Sequence, residues 1–248
     1  MEKTTTKDRV LAALEKNKGS FVSGENLAKE CNVSRNAVWK SITELKKSGY
    51  NIKSVNNRGY SLEEESDIIS KAGILLNLER LKKSEAFADR IYVYDEIDST
   101  NTEAKRSIIL SNPLPHGMVI AAKSQSAGRG HKGSSFLSPD GGIYFSIILE
   151  PDRVKDKKCP ITERVPETVK KILEKKYDIN LTIKGTGSLY LGNEKVCGIM
   201  TEGFCDLETG IYSSFIVGIG ILAEKLPKDK GATAGKNEII SEIISELI

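Results

Sequence analysis

A short glycine-rich loop carries the residues best suited to bind an anion. Residues 128–133 read Gly-Arg-Gly-His-Lys-Gly, so that three glycines are interspersed with three basic or potentially basic side chains. Glycine lets a backbone approach a ligand closely, and clustered N–H groups with nearby cations attract phosphate. The composition predicts a flexible phosphate-binding loop. A mobile surface loop without function is the alternative.

A polar turn offers hydrogen-bonding groups at the start of a helix. Ser99, Thr100 and Asn101 follow a strand-like segment that begins at Ile91, and a helix is expected from Thr102. Their hydroxyl and amide groups predict a site for a small polar head group at the helix N-terminus. In the alternative interpretation, Ser99 or Thr100 only caps the helix.

A predicted hairpin presents a lysine next to a run of small residues. Residues 189–191 and 195–199 flank a Gly-Asn-Glu turn and are typical of two paired strands. Directly before them, residues 184–188 read Lys-Gly-Thr-Gly-Ser, whose backbone N–H groups offer an alternative anion site. By residue type alone, Lys195 would be an ordinary exposed hairpin lysine.

The elements that must position these segments mix strands and helices. Strand patterns cover residues 117–122, 142–149 and 215–221, and helical patterns cover residues 68–81, 167–176 and 237–247. Pro166 is expected to start or kink the second of these helices rather than lie inside it, because proline lacks the backbone donor.

The first 62 residues have an organisation of their own. Apolar residues at helical spacing predict three helices, with Ser23 and Ser34 as N-caps of the second and third and Gly49 closing the third. Residues 50–55 and 60–62 alternate like strands and are joined by Asn-Asn-Arg-Gly, typical of a hairpin turn. This order of elements predicts a winged helix-turn-helix.

The charge of this segment favours a polyanion partner. Residues 1–62 hold 12 Lys and Arg against 6 Asp and Glu, whereas the remaining residues hold 25 against 28. A helix-turn-helix places its recognition helix in the major groove of double-stranded DNA. Trp39 is expected to pack inside rather than to contact bases. The expected DNA-binding residues are Ser34, Arg35, Asn36, Lys40 and, at the wing tip, Arg58. A motif used only for protein contact is the alternative.

Composition excludes several classes of protein. A hydrophobic content of 39% and a charged content of 29% are normal for a globular protein with a real core. No apolar run of about 18 residues is present and the N-terminus lacks an apolar signal core, which predicts a cytoplasmic protein without a membrane span. Four cysteines without C-x-x-C spacing, beside two histidines, predict reduced buried thiols and no metal site.

Several stretches together resemble bifunctional biotin protein ligases that also act as biotin operon repressors. In the first segment these are F-V-S-G-E-N-L-A (21–28), V-S-R-N-A-V-W-K (33–40) and R-G-Y-S-L (58–62). Farther on they are Gln125 with 128–130, Ser138-Pro139, the strand 142–149 and the segment 195–202. The resemblance implies a winged helix-turn-helix over residues 1–65. It implies an α+β, biotin/lipoate ligase-like domain with a mixed sheet flanked by helices over residues 66–248.

The same resemblance assigns roles to individual residues. It implies that biotin or biotinyl-5′-AMP is the ligand, that the glycine-rich loop orders over it, and that Lys195 is the catalytic residue, whose charge stabilises the transferring group. The implied biotin-binding residues are Ser99, Thr100, Asn101, Gln125, Gly128, Arg129, Gly130, His131, Lys195 and Gly198. The residues implied on the nucleotide side are Lys132, Phe136, Lys184 and Ser188. No residue is assigned to a metal.

The sequence departs from the family pattern mainly on the nucleotide side. The family's K-W-P-N-D pentapeptide is Lys-Gly-Thr-Gly-Ser here, without the carboxylate that helps to bind phosphates or Mg²⁺. In the loop, two family arginines are His131 and Lys132, a third is Ser134, and the tryptophan is Phe136. The asparagine of the family's G-I-G-I-N strand is Leu222, and we expect the small C-terminal β-barrel of these proteins to be absent.

Three functions are compatible with these residues. In the first, favoured by the sequence, the protein is a transcriptional regulator whose ligand promotes homodimers and a paired DNA operator, with ligase activity weak or lost. In the second, it is a bifunctional enzyme that forms biotinyl-5′-AMP from biotin and ATP with Mg²⁺ and transfers biotin to a lysine of the biotin carboxyl carrier protein. The third keeps DNA binding but changes the ligand, for which His131 and Leu222 leave room.

Overall fold

Three helices and a two-stranded wing form the N-terminal part of the chain. The computed structural model describes residues 5–111, 113–153, 159–205, 207–227 and 235–248. The N-terminal elements are α1 (Thr6–Lys16), α2 (Gly24–Glu30), α3 (Arg35–Lys47), β1 (Ile52–Val55) and β2 (Gly59–Leu62), the last two paired antiparallel. The predicted winged helix-turn-helix is thereby confirmed.

Local sequence signals explain where these elements begin and turn. The hydroxyls of Ser23 and Ser34 each accept the N–H three residues farther on, at 3.0 and 3.2 Å, and so satisfy donors that a helix leaves free in its first turn. Gly59 has φ +99°, and a Cβ there would lie 2.1 Å from the carbonyl oxygen of Val22. Glycine therefore lets the wing close against the segment before α2.

Helix α4 (Lys71–Arg80) packs against both halves of the chain. Ser70 caps it, so that the helix begins three residues later than the apolar pattern predicts. Ala72 packs against the core of the winged helix, whereas Ile74 belongs to the larger core of the second half. The domain boundary between residues 65 and 66 stays a prediction.

A seven-stranded mixed sheet dominates the second half. Its strand order is β3-β4-β5-β9-β8-β7-β6, in which β3 and β4 are parallel and all other neighbours are antiparallel. The strands are β3 (Ile91–Ile97), β4 (Val119–Gln125), β5 (Ile143–Leu149), β6 (Thr182–Lys184), β7 (Ser188–Leu191), β8 (Glu194–Cys205) and β9 (Tyr212–Ile221). The helices are α5 (Ser84–Phe87), α6 (Thr100–Leu110), α7 (Ile161–Tyr177) and α8 (Lys236–Leu247), with 3₁₀ turns at His131–Gly133, Pro151–Arg153 and Ala223–Lys225.

The two faces of the sheet carry different cores. Side chains alternate across a strand, and in β9 the isoleucines and valine at 217, 219 and 221 belong to the large core shared with α4, α7 and α8. The opposite face carries a smaller cluster in which Ile216 packs near Ala104 of α6. On that face Gly218 and Gly220 follow Ile216, so that the sheet surface beyond α6 lacks bulky side chains. This bare surface forms the floor of the site described below.

The prediction for Pro166 was wrong. Helix α7 begins at Ile161, six residues before the predicted start, and Pro166 lies inside it and is buried. Val165 and Val169 of the same helix are buried as well and belong to the large core. Burial of this apolar face therefore outweighs the lost backbone donor so close to the helix start.

The expectation about cysteines is confirmed only in part. All four are free thiols, and Cys31 and Cys197 are buried, but Cys159 is partly exposed and Cys205 is exposed. Among the described residues, no group of histidine, cysteine and carboxylate side chains has the arrangement of a metal site. Within the same residues, no helix combines the length and the apolar character needed to cross a bilayer.

Candidate functional site

A cavity of about 170 Å³ lies where the glycine-rich loop folds over the bare face of the sheet. All of the biotin-binding residues expected from the sequence line it, except Gly128. Phe136 and Ser188, expected on the nucleotide side, line it as well. The expected biotin-binding residues found in its wall are Ser99, Thr100, Asn101, Gln125, Arg129, Gly130, His131, Lys195 and Gly198.

Glycines make room for the cavity and for the aromatic ring that closes one side. Gly198 of β8 pairs with Gly220 of β9, and the ring of Phe136 lies on this pair. A Cβ would come within 2.7 Å of the ring at Gly198 and within 2.5 Å at Gly220. Sequence reasoning did not assign Gly218 or Gly220 to the site, although two glycines on one face of an apolar strand signal a close approach.

The polar turn at the start of α6 forms the buried end of the cavity. The Thr100 N–H donates to Gln125 Oε1 at 2.8 Å, and Gln125 Nε2 donates to Ser138 Oγ at 2.8 Å. Ser99 caps α6, and Thr100 is only 4% exposed. The capping and ligand-binding interpretations of this turn are therefore compatible, because the cap holds the polar groups at the cavity wall.

Asn101 is held in place by residues that the sequence did not single out. Its Nδ2 donates to Glu202 Oε2 at 2.8 Å, and its Oδ1 lies 2.6 Å from Ser146 Oγ. Lys105 donates to the other oxygen of Glu202 at 2.6 Å. Lys105 lies one turn farther along α6, whereas Ser146 on β5 and Glu202 on β8 are distant in sequence, so no local motif predicts their contact with Asn101.

The glycine-rich loop forms a narrow ribbon over the cavity. The Phe136 N–H donates to the Gly128 carbonyl at 2.9 Å, and the Gly130 N–H donates to the Ser134 carbonyl at 2.7 Å. Gly128 is buried under this ribbon, where a Cβ would lie 2.3 Å from the Phe136 carbonyl oxygen. Its role is therefore to let the loop fold, rather than to line the cavity.

One side chain ties the loop to the sheet. His131 Nε2 lies 2.7 Å from the carbonyl oxygen of Ile199, which only accepts hydrogen bonds, so the ring nitrogen donates. Thr186 Oγ1 lies 3.5 Å from the same nitrogen. The histidine that replaces a family arginine thus spans from the loop to β8.

Two cations face the cavity from its open end. Lys195 Nζ lies 5.6 Å from the centre of the Phe136 ring, and Arg129 is exposed on the loop. Among the described residues, none of those lining the cavity is an aspartate or glutamate. On the opposite face, burial raises the pKa of the Cys197 thiol to about 12, more than Lys195 lowers it. Cys197 is therefore a structural residue, whereas Lys195 is placed to meet an anion.

Other residues expected on the nucleotide side lie elsewhere. Lys184 holds its ammonium group 4.5 Å from the centre of the Tyr190 ring and does not line the cavity. The side chain of Lys132 lies outside the described part of the structure. Leu222, at the former asparagine position, donates its backbone N–H to the Val196 carbonyl at 2.8 Å.

The recognition helix presents its predicted residues to solvent. Ser34, Arg35, Asn36 and Lys40 are all exposed, as is Arg58 at the wing, whose guanidinium lies 4.3 Å from the centre of the Phe21 ring. The expectation for Trp39 was wrong, because its side chain is 57% exposed. Val38 and Ile42 fill the helix's inward face, so that Trp39 falls on the face that also carries Arg35.

Comparisons with known proteins agree with this architecture. Residues 93–221 match the model of the biotin/lipoate A/B protein ligase family, and residues 6–61 match that of a helix-turn-helix domain. The chain belongs to the biotin/lipoate A/B protein ligase family. The matched span runs from β3 to β9 and therefore contains the whole cavity.

Curated relatives of this family member are named as bifunctional ligase/repressors. The chain is 31% identical over 210 residues to the bifunctional ligase/repressor BirA of Bacillus subtilis, covering 84% of this chain and 62% of that protein. It is 33% identical over 223 residues to the protein of the same name from Bacillus spizizenii, covering 89% of this chain and 66% of that protein. The chain thus spans slightly less than two thirds of the length of these relatives.

A solved structure shows the same fold. The biotin acetyl coenzyme A carboxylase synthetase of Helicobacter pylori, determined with bound biotinylated ATP, matches with a TM-score of 0.51 at 24% identity. The match covers 64% of this chain and 74% of that protein. It supports the fold of the ligase-like domain.

Proposed function

We propose that the protein is a DNA-binding transcriptional regulator of the biotin repressor type, with weak or lost ligase activity. In this proposal its ligase-like domain binds biotin or a biotin-like effector. The observation that supports this proposal is a difference in the polar groups that line the two parts of the cavity. The buried end holds a complete hydrogen-bonding network, whereas the described lining residues include no carboxylate to serve a nucleotide with Mg²⁺.

The buried end suits the ureido ring of biotin. That ring carries two N–H donors and one carbonyl acceptor, and Ser99, Thr100 and Gln125 place hydroxyl and amide groups in the same part of the cavity wall. At the open end, Lys195 and Arg129 would meet the carboxylate of biotin's side chain. The name of the biotin/lipoate A/B protein ligase family supports the same ligand class.

Activation with ATP is less well supported by the residues. Mg²⁺ that accompanies ATP prefers one or two carboxylates beside the phosphate oxygens. The hairpin loop at residues 185–187 consists of Gly-Thr-Gly, and Lys184 before it lies over Tyr190 rather than at the cavity. We therefore expect ligand binding to survive better than adenylate formation.

The alternative is an active bifunctional enzyme. It would form biotinyl-5′-AMP from biotin, ATP and Mg²⁺, and transfer biotin to a lysine of the biotin carboxyl carrier protein. Lys195 favours this alternative, since a cation at the cavity would stabilise negative charge on the transferring group. Both words in the relatives' name, ligase and repressor, are compatible with it.

The DNA-binding part of the proposal rests on the exposed face of α3 and the wing. We propose that a homodimer of this chain, in the cytoplasm, reads a paired operator in double-stranded DNA. In this arrangement the exposed start of α3 would enter the major groove, and Arg58 would reach the adjacent backbone. Ligand at the cavity would favour the dimer.

Calorimetry separates the regulator from the enzyme. The full chain is titrated with biotin alone, and then with ATP and Mg²⁺ in the presence of biotin, while pyrophosphate release is measured. We expect biotin binding with little pyrophosphate. Rapid pyrophosphate release and labelling of a carrier protein would replace the first function by the alternative. Absence of biotin binding would favour a different effector.

Arg35→Ala tests the DNA-binding surface. Loss of a cation at the start of the recognition helix should weaken operator binding about ten-fold in a gel shift and leave biotin affinity unchanged. Arg153→Ala, which removes an exposed arginine from the second half of the chain, is the matched control. Equal DNA affinity of the two variants would contradict the assignment of α3.

A further inference from the structure

The carboxylate of Glu202 lies between two donors at the buried end of the cavity. Asn101 Nδ2 donates to one of its oxygens at 2.8 Å, and Lys105 Nζ lies 2.6 Å from the other. Glu202 itself lies on β8, four residues from Gly198, and does not line the cavity. Its side chain therefore acts on a ligand only through Asn101.

An ionised carboxylate accepts hydrogen bonds and donates none. Asn101 must therefore turn its NH₂ group toward Glu202, which leaves its oxygen toward Ser146 at 2.6 Å. Gly218 makes this orientation possible, because a Cβ at that position would lie 2.1 Å from Asn101 Oδ1. The glutamate and the glycine together fix which way the amide faces.

The direction of the next two hydrogen bonds follows from proton counting. The single hydroxyl proton of Ser146 goes to Asn101 Oδ1, since an amide oxygen has no proton of its own. Ser146 Oγ also lies 2.7 Å from Thr100 Oγ1 and is fully buried. The proton between these two hydroxyls must come from Thr100. The Thr100 hydroxyl also lies 3.2 Å from Gln125 Oε1, and this longer contact competes less well for its proton than the 2.7 Å contact with Ser146.

We infer that Glu202 is a positioning residue that sets the hydrogen-bond polarity of the cavity through Asn101, Ser146 and Thr100. With its proton committed to Ser146, the Thr100 hydroxyl offers only lone pairs to a ligand. It therefore selects a ligand that brings an N–H donor, as a cyclic urea does, over one that brings a carbonyl or ether oxygen. This inference rests on the proposed function, because biotin supplies such an N–H.

Glu202→Gln preserves the size of the side chain. It reverses the direction of the hydrogen bonds that run from Glu202 through Asn101 and Ser146 to Thr100, which we call the relay. The amide turns its oxygen to Lys105 and its NH₂ to Asn101, so Asn101 flips and donates to Ser146. Ser146 then donates to Thr100, whose proton now faces the ligand. A donor facing a donor leaves a buried group unpaired, and we expect biotin affinity to fall about ten-fold or more by calorimetry on the full chain.

A double-mutant cycle with Thr100→Val distinguishes polarity from general damage. Thr100→Val removes the hydroxyl, so Glu202→Gln should cost less than about three-fold in that background. In a Thr100→Ser background, which keeps the hydroxyl, the full loss should return. Glu103→Gln, an isosteric change on α6 at a residue that pairs with Arg106, serves as the matched control and should leave affinity unchanged.

The outcomes separate this inference from the function on which it rests. Equal losses in the wild-type, Thr100→Val and Thr100→Ser backgrounds overturn the relay but leave biotin binding intact. Failure of the wild-type chain to bind biotin overturns both. If circular dichroism shows that Glu202→Gln does not fold, Ser146→Ala is measured instead, because it interrupts the relay between Asn101 and Thr100. The loss of biotin affinity caused by Ser146→Ala must likewise be smaller in the Thr100→Val background. Equal losses in both backgrounds overturn the inference.

Discussion

The two ends of the cavity are built on opposite principles. At the buried end, Thr100 and Asn101 are 4% and 3% exposed, and both are held by hydrogen bonds to other protein groups. At the open end, Arg129 is exposed and Lys195 is partly exposed, and the contact of Lys195 is with an aromatic ring. One end is fixed before a ligand arrives, and the other can adjust to it.

This difference indicates where selectivity and where affinity reside. A preorganised buried network discriminates strongly, since a ligand that mismatches it leaves polar groups unpaired. Cations near solvent attract an anion but discriminate less, because water screens them and their side chains move. We therefore expect mutations at the buried end to abolish ligand recognition. Mutations at the open end should weaken ligand binding or change its association and dissociation rates.

The largest effect is expected for Gly218→Ala. The new methyl group would lie 2.1 Å from Asn101 Oδ1, so the buried amide must move and break its bonds to Ser146 and Glu202. Biotin affinity should fall about 100-fold, and the free energy of unfolding should decrease by about 1–3 kcal/mol. Calorimetry and denaturant unfolding measure the two quantities.

Gly24→Ala provides the control for this substitution. A Cβ at Gly24 would meet only a ring carbon of Tyr60 at 3.4 Å, an ordinary contact far from the cavity. Its biotin affinity should equal that of the wild type. A Gly218→Ala protein that binds biotin normally would show that the buried end is adaptable, and the contrast between the two ends would fail.

A smaller loss is expected for Lys195→Met at the open end. The substitution keeps the apolar stem over Phe136 and removes the charge that would meet a ligand carboxylate. Biotin affinity should fall about ten-fold, whereas the affinity for biotin amide, which lacks the carboxylate, should not change. Lys29→Met, at an exposed lysine of α2, is the control. An equal loss for both ligands would mean that Lys195 does not read the carboxylate.

The same contrast explains how much of the structure was predictable from the sequence. Local signals sufficed for the winged helix, where Ser23 and Ser34 cap helices as expected, and for the hairpin that carries Lys195. The gathering of Ser99, Gln125 and the loop around one cavity followed from the family resemblance. No residue pattern alone joins these segments.

The rest depends on contacts between residues that are distant in the chain. Ser146 and Glu202 meet Asn101 across 45 and 101 positions, and nothing in the segments that contain them marks either residue as a partner of Asn101. Pro166 and Trp39 were misjudged for a related reason. Propensity describes the residue alone, whereas the packing around it decides whether a proline stays in a helix or an indole faces solvent.

Phe136→Ala tests whether the open end must rearrange before a ligand enters. The Phe136 ring lies on Gly198 and Gly220 and contacts the ring of Tyr144 edge-on, with 6.4 Å between ring centres. The cavity of about 170 Å³ beside it is smaller than the range from about 300 Å³ that is typical of ligand pockets. We therefore expect a ligand of biotin's size to displace the ring. Without the ring, association measured by stopped-flow fluorescence of a labelled biotin should accelerate several-fold. Dissociation should accelerate as well, because the ring no longer covers the ligand, so that affinity changes by less than about five-fold.

Unchanged association would mean that the ring does not gate entry. A loss of affinity as large as that of Gly218→Ala would mean that the open end is as preorganised as the buried one.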